Sequence, residues 1–178
     1  MKYKTKEVLA RAVVEGVVQE GRVPMVDEKE VPREWRIKGA CFVTLYIAGE
    51  LHGCIGTIEA RQPLYRDIIE NAVGASTRDL RFEPINREQL KELTVEVSVL
   101  TPLKEYRPKS TAALKNYLKL EKPGLVIEKR GQRAVFLPQV WEQLPQAEQF
   151  LAQLCLKARL PADAWREGMQ FKTFRVLG

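Results

Sequence analysis

The sequence is poor in the residues that build metal centres and disulfide frameworks. Its 178 residues hold one histidine, His52, and three cysteines, Cys41, Cys54 and Cys155. No two cysteines form a C-x-x-C pair, so a structural zinc site lacks a ligand set. An odd number of cysteines without paired spacing argues for reduced thiols. No apolar run is long enough to span a bilayer as a helix. The basic start Met1-Lys2-Tyr3-Lys4 leads into a helix broken by charges, not into the apolar core of a signal peptide. The expectation is a cytoplasmic protein with no membrane partner. Internal repeats are lacking too, which excludes solenoids and arrays.

Hydrophobic residues make up 45% of the chain, enough for a true core. The length suits a single domain over residues 1–178, with room for two lobes. A net charge of +6 permits an anionic partner without requiring one. Residues 5–20 carry Val8, Leu9, Ala12, Val13, Gly16 and Val17 at helical spacing, and Gly21 is a C-terminal stop. Residues 22–36 contain Pro24 and Pro32 and read as a loop, with Trp35 in the core. Residues 39–48 read as a strand with Cys41, Val43, Leu45 and Ile47 on one face and Ala40, Phe42, Thr44 and Tyr46 on the other. Both faces are largely apolar, so a central strand covered on both sides is expected.

Ala48-Gly49-Glu50 is a turn, and residues 51–59 return as the second arm of a hairpin. Pro63 opens a helix over residues 64–77. Asn86 and Gln89 have capping-box spacing for a short helix. Residues 94–100 alternate, with Val95, Val97 and Val99 opposed to Thr94, Glu96 and Ser98. Further on come a helix capped by Ser110, a hairpin of residues 124–129 and 133–137, a helix over 146–159 with Cys155 on its apolar face, and a strand over 171–177. This order predicts an α+β fold with a central, mostly antiparallel sheet flanked by helices.

One stretch departs from scaffold: Leu51-His52-Gly53-Cys54-Ile55-Gly56. In an extended strand His52 and Cys54 share a face. Cys54 is then a candidate nucleophile with His52 as its base, or a small buried thiol in a structural role. Gly53 and Gly56 admit close approach of a ligand or an anion nest, or else a bulge. Arg78, Asp79 and Arg81 fit anion binding, or an ion pair that pins their loop. Glu96 is an acid, a base, a partner for Arg78, or a solvent-facing carboxylate. Cys41 and Cys155 read as core. Lys115, Lys119, Lys122, Lys129, Arg130 and Arg133 thicken the positive charge of the second half. A nucleic-acid surface would interleave aromatics with them, which the sequence does not do, so a solvated face is favoured.

The hexapeptide resembles the signature Leu-Arg-Gly-Cys-Ile-Gly of the AMMECR family, especially the prokaryotic branch called AmmeMemoRadiSam system protein A. His52 stands where the family has arginine. Similar segments include Gly39-Ala40-Cys41-Phe42-Val43-Thr44-Leu45 and residues 71–82, with Leu80 in place of a proline. Glu96-Val97-Ser98-Val99-Leu100, Phe136-Leu137-Pro138-Gln139-Val140-Trp141 and Leu154-Cys155-Leu156-Lys157-Ala158 extend the likeness over most of the chain. The resemblance implies an antiparallel-sheet unit with a smaller second lobe. It implies no established activity and no cofactor. The branch name implies two companions, a Memo-like protein and a radical SAM enzyme. An arginine cannot serve as a base, so a mechanism shared across the family would need a positive charge near Cys54, not a histidine base.

Three functions fit these observations. One is an enzyme or enzyme subunit acting on a small anionic or nucleotide-like ligand at the hexapeptide. Another is a non-catalytic adaptor for a protein partner. The third is an RNA- or DNA-binding module. The helix after Pro63 must return along the hairpin, so residues 78–82 are expected beside the hexapeptide.

Overall fold

A computed structural model describes residues 1–177. The chain divides into two compact units, residues 1–100 with Leu177, and residues 101–176.

The first unit opens with α1 (Lys6–Glu20), capped at its start by the Thr5 side chain and at its end by Gly21 in the left-handed conformation. Two 3-10 turns follow where a loop is expected, and Trp35 lies buried in the second. Next come β1 (Lys38–Gly39), β2 (Cys41–Ile47), β3 (Glu50–Gly56), β4 (Gln62–Pro63), α2 (Leu64–Thr77) and β5 (Leu93–Leu100). The Asn86–Gln89 pair makes the expected reciprocal capping bonds, at 3.0 and 3.1 Å, and introduces a 3-10 turn ahead of β5.

β2 lies between β3 and β5 and pairs antiparallel with both. Its Cys41, Val43 and Leu45 face a core that also holds α1 residues Leu9 and Val13 and α2 residues Ile68 and Ala72. The opposite face differs from expectation. Phe42 and Tyr46 are only half-buried, and apart from Leu51 opposite Tyr46 the residues that face this side of β2 from β3 and β5 are small or polar: Gly56 and Ser98 opposite Phe42, Cys54 and Glu96 opposite Thr44, and Thr94 opposite Tyr46. Reading β2 alone shows two apolar faces; the adjoining strands make one of them polar.

The second unit contains β6 (Lys104–Tyr106), α3 (Thr111–Glu121), β7 (Gly124–Lys129), β8 (Gln132–Phe136), α4 (Val140–Gln143), α5 (Ala147–Lys157) and β9 (Gln170–Phe174). Its sheet runs β6-β9-β7-β8 with antiparallel pairing. Trp141 stacks on Phe150 at 3.7 Å between ring centroids, and its Nε1 donates to the Pro123 carbonyl at 2.9 Å. β10 (Val176–Leu177) closes the first sheet outside β5, giving the order β10-β5-β2-β3. The fold is thus α+β with antiparallel pairing, its strands shared between two four-stranded sheets and a two-stranded pair of β1 and β4.

Cys155 sits at 0% exposure among Leu151, Leu154 and Phe150, and burial pushes its thiol up. A hydroxyl in its place needs partners that a thiol does without. Cys155→Ser is therefore expected to lower stability by about 1–3 kcal/mol in urea unfolding. An unchanged midpoint would show that the site accommodates a hydroxyl.

Candidate functional site

The hexapeptide forms most of β3, whose pairing with β2 shifts register between Leu45 and Tyr46. Leu45 faces Gly53 and Tyr46 faces Leu51, so His52 is an extra residue in a bulge. This corrects the expected shared face, because the bulge breaks the alternation on which it depended. The His52 ring stacks on Phe82 at 5.6 Å between centroids, and its Nε2 lies 3.0 Å from the Glu83 carbonyl oxygen. A carbonyl only accepts, so Nε2 carries the hydrogen. His52 is thereby committed to the loop after α2, and the His52–Cys54 dyad loses its geometric premise.

Gly53 faces α2. A Cβ built there would lie 2.1 Å from the Ala75 carbonyl oxygen. A Cβ on Gly56 would lie 2.2 Å from the Phe42 ring. Packing accounts for both glycines: the backbone approaching Gly53 is that of α2.

Residues 78–82 do lie beside the hexapeptide. The Cys54 N–H donates to Asp79 Oδ2 at 2.9 Å. Arg81 holds Asp79 through Nη2 and Nε at 2.7 and 2.9 Å, and its Nη2 reaches the Cys54 carbonyl at 3.4 Å. Asp79 is 8% exposed. The Arg81 hydrogen bonds, which outweigh burial, hold its carboxyl down at about 2, with help from the Cys54 and Arg81 amides. The sequence offered anion binding or an ion pair that pins the loop; the geometry is that of the pin. Arg78 has an exposed side chain and acts through its backbone N–H, which closes α2 on the Gly74 carbonyl at 2.8 Å.

Because the Cys54 amide and carbonyl point outward to this loop, Cys54 and Thr44 form a pair without mutual ladder bonds, the kind whose side chains are closest. The half-buried Cys54 Sγ lies 3.2 Å from Thr44 Oγ1. On the far side of Thr44, Glu96 is the paired residue of β5. Tyr46, next but one along β2, has its hydroxyl 3.4 Å from Glu96 Oε2. Cys54, Thr44, Glu96 and Tyr46 therefore share one face of three adjacent strands. Burial, then the charges of Glu96 and Cys54, push the Tyr46 phenol up. Glu96 meets Tyr46 and not Arg78. Thr44 and Tyr46 escaped sequence reading because they sit in a strand that looks apolar. Their signal was parity with Phe42, which becomes informative once Cys54 and Glu96 are known to flank Thr44.

The basic residues of the second half are partly engaged. Lys115 pairs with Glu148 at 3.0 Å, and Lys129 donates to the Ala164 and Glu167 carbonyls. A cavity of about 560 Å³ in the second unit is lined by residues including Arg107, Lys109, Trp165 and Arg166. Two of its cations are paired, Arg107 with Glu105 and Arg166 with Glu148. Among the described residues no cluster of His, Cys, Asp and Glu is placed to hold a metal ion.

Two expectations follow from the loop and the bulge. Gly53→Ala forces a methyl into the Ala75 carbonyl and is expected to cost about 1–3 kcal/mol or more in denaturant unfolding. Asp79 has a folded pKa below its unfolded value, so its stabilisation is present above pH ~4 and lost as pH falls toward ~2. Asp79→Asn should therefore flatten the stability-versus-pH curve across that window. Urea midpoints measured at a series of pH values check this, and parallel curves for the two proteins would refute the clamp.

The AMMECR1 family model matches residues 8–177. Protein MJ0810 of Methanocaldococcus jannaschii is 38% identical over 175 residues, covering 94% of this chain and 84% of that one. A protein of Thermococcus gammatolerans is 40% identical over 173 residues, covering 88% and 78%. The crystal structure of uncharacterized protein PH0010 from Pyrococcus horikoshii has a TM-score of 0.88 at 32% identity, covering 96% of this chain and 87% of that one. On this evidence of sequence and fold, the chain belongs to the AMMECR1 family.

Proposed function

We propose that the protein is an enzyme, or a subunit of one, whose reacting group is the Cys54 thiol and whose ligand lies on the polar face of the first sheet. The observation that carries this reading is the cross-strand row itself. A half-buried thiol is fixed through its own backbone by Asp79 and Arg81, and it shares a face with a carboxylate and a phenol. Core packing explains Cys41 and Cys155, both at 0% exposure, but not a thiol set among polar groups. Arg81, though paired with Asp79, is the cation coupled to the Cys54 sulfur. The ligand is small and polar. A reduced thiol at the site suits the cytoplasm. The companions implied by the resemblance, a Memo-like protein and a radical SAM enzyme, would supply or consume the ligand.

A second reading, the adaptor, has its own support. Leu80 is 100% exposed at the tip of the loop that holds Cys54, and Leu51 is 41% exposed on β3. Exposed apolar side chains beside a fixed loop suit a protein partner. The nucleic-acid reading has less behind it, since Lys115 and Lys129 are engaged within the fold.

Peptide-resolved labelling of the folded protein with iodoacetamide tests the first reading. Cys54 should react near neutral pH while Cys41 and Cys155 stay unmodified. Arg81→Met should slow the reaction, and His52→Ala should leave it nearly unchanged. If Cys54 remains unlabelled until denaturant is added, the thiol is structural and the enzyme reading falls. If Leu80→Asp abolishes binding of a purified Memo-like companion while Cys54 labelling is unchanged, the adaptor reading gains.

A further inference from the structure

We infer that the Tyr46 hydroxyl is the proton donor and acceptor of the Cys54 site, that Glu96 is its positioning residue, and that the ligand is a small uncharged carbonyl compound seated over Thr44. This rests on the Cys54 reading above and adds a residue, a role and a ligand class to it.

The argument starts from strand geometry. Neighbouring strands lie ~4.8 Å apart, so Cys54 on β3 and Glu96 on β5 are separated by about two strand spacings with Thr44 between them. Thr44 is short and 3% exposed, so it forms a floor and not a wall. Tyr46 rises from the same strand, and its long side chain brings the hydroxyl to Glu96 Oε2 at 3.4 Å. Cys54 is paired with Thr44, so Tyr46, two residues further along β2 on the same face, is its diagonal neighbour, within reach of a long side chain. Nucleophile and proton donor thus stand on opposite sides of a small floor.

The charges that face this space decide what enters it. Arg81 and Asp79 lie at the β3 side, and Arg81 already makes two bonds to Asp79 and one to the Cys54 carbonyl. Glu96 stands at the β5 side. The ion pair nets to zero and Glu96 repels anions, so an uncharged ligand fits better than the anionic or nucleotide-like one expected from sequence. A thiolate adds to an electrophilic carbon, and a phenol that holds its proton suits the oxygen attached to that carbon. In the step, a C–S bond forms as the carbonyl π pair moves onto oxygen, and that oxygen takes the Tyr46 proton. The thiol proton leaves to solvent before the attack, and the Tyr46 phenolate takes one back from solvent afterwards, so the proton count closes. The net reaction is reversible addition of a thiol to a carbonyl, and it needs no oxidant or second reactant.

The test follows the pH dependence of Cys54 alkylation by iodoacetamide in the full chain. Glu96→Gln removes an anion and should lower the midpoint by about half a pH unit. Tyr46→Phe keeps the ring but leaves the carboxylate unscreened, and should raise the midpoint by a similar amount. Acetaldehyde is the ligand probe. It should protect Cys54 from alkylation in the wild type, with about fivefold weaker protection in Tyr46→Phe. Glu96 is exposed, so its variant folds whatever happens at Tyr46. In wild type against Glu96→Gln, phenolate absorbance near ~295 nm should show one tyrosine titrating at lower pH in the variant, since the carboxylate no longer raises it. Midpoints unmoved by both substitutions, or equal acetaldehyde protection with and without the hydroxyl, would overturn the inference while leaving Cys54 as nucleophile. Absence of Cys54 labelling in the folded protein would overturn both.

Discussion

The candidate site depends on one carboxylate at the open edge of a sheet. β3 is an edge strand, and the outward N–H and C=O of Cys54 would otherwise be free to pair with another chain. Asp79 takes the N–H and Arg81 reaches the carbonyl, so side chains of the loop after α2 occupy both groups. That loop can arrive there only because α2 passes close over β3, with Ala75 against Gly53. A second buried carboxylate fastens the other end of the hairpin. Asp67, at the start of α2, accepts from the Cys41 N–H at 2.9 Å and from the Thr57 hydroxyl at 2.5 Å. The helix is thus tied at the open end of the β2–β3 hairpin by Asp67 and near Cys54 by Asp79. Hydrogen bonds to a carboxylate are stronger than neutral ones, so two such fastenings fix the hairpin against the helix.

Much of this was legible in the sequence. Helical spacing, the Ser110 cap, Gly21, Pro63 and the alternation of β5 place the elements closely. The juxtaposition of residues 78–82 with the hexapeptide follows from chain return after α2. The glycines offer a bulge as one alternative; what escaped was that it would leave His52 unpaired. Alternation assigns faces only while the ladder stays in register, and one extra residue at His52 moves the ring from the Cys54 face to the Phe82 side. Gly53 signals that a bulge is possible, but which residue it unpairs is set by the register with the partner strand. The same limit hid Thr44 and Tyr46. Their strand was read from its own residues, whereas their surroundings come from Cys54 and Glu96 on either side.

The bulge bears on the difference that the resemblance implies at position 52, a histidine here against an arginine in the family signature. At position 52 the side chain leaves the ladder toward the loop, where an aromatic ring and a carbonyl receive it. Either residue can stack on Phe82 and donate to the Glu83 carbonyl, since both are flat donors. The position therefore reads as a fastener between β3 and the loop, alongside the one that Asp79 makes at the Cys54 N–H. Arg81, by contrast, reaches the Cys54 carbonyl and couples to its sulfur.

The electrostatics of the face then follow from how these charges are spent. Arg81 is paired with Asp79, whose carboxyl stays ionised down to about 2, so the two cancel over any distance longer than their own separation. Cys54 feels Arg81 as a near neighbour, while a ligand farther along the face feels mainly Glu96. Raising the local negative charge with an anionic ligand would oppose thiolate formation at the moment it is needed. A neutral ligand that develops negative charge only as the bond to sulfur forms meets a different field. It finds a phenol whose proton is held firmly by burial and by the neighbouring carboxylate, available to an oxygen that becomes more basic than the phenol itself. On the reading proposed above, the face is poor at binding charge in the ground state and suited to receiving it in the transition state, the difference that catalysis would require of it.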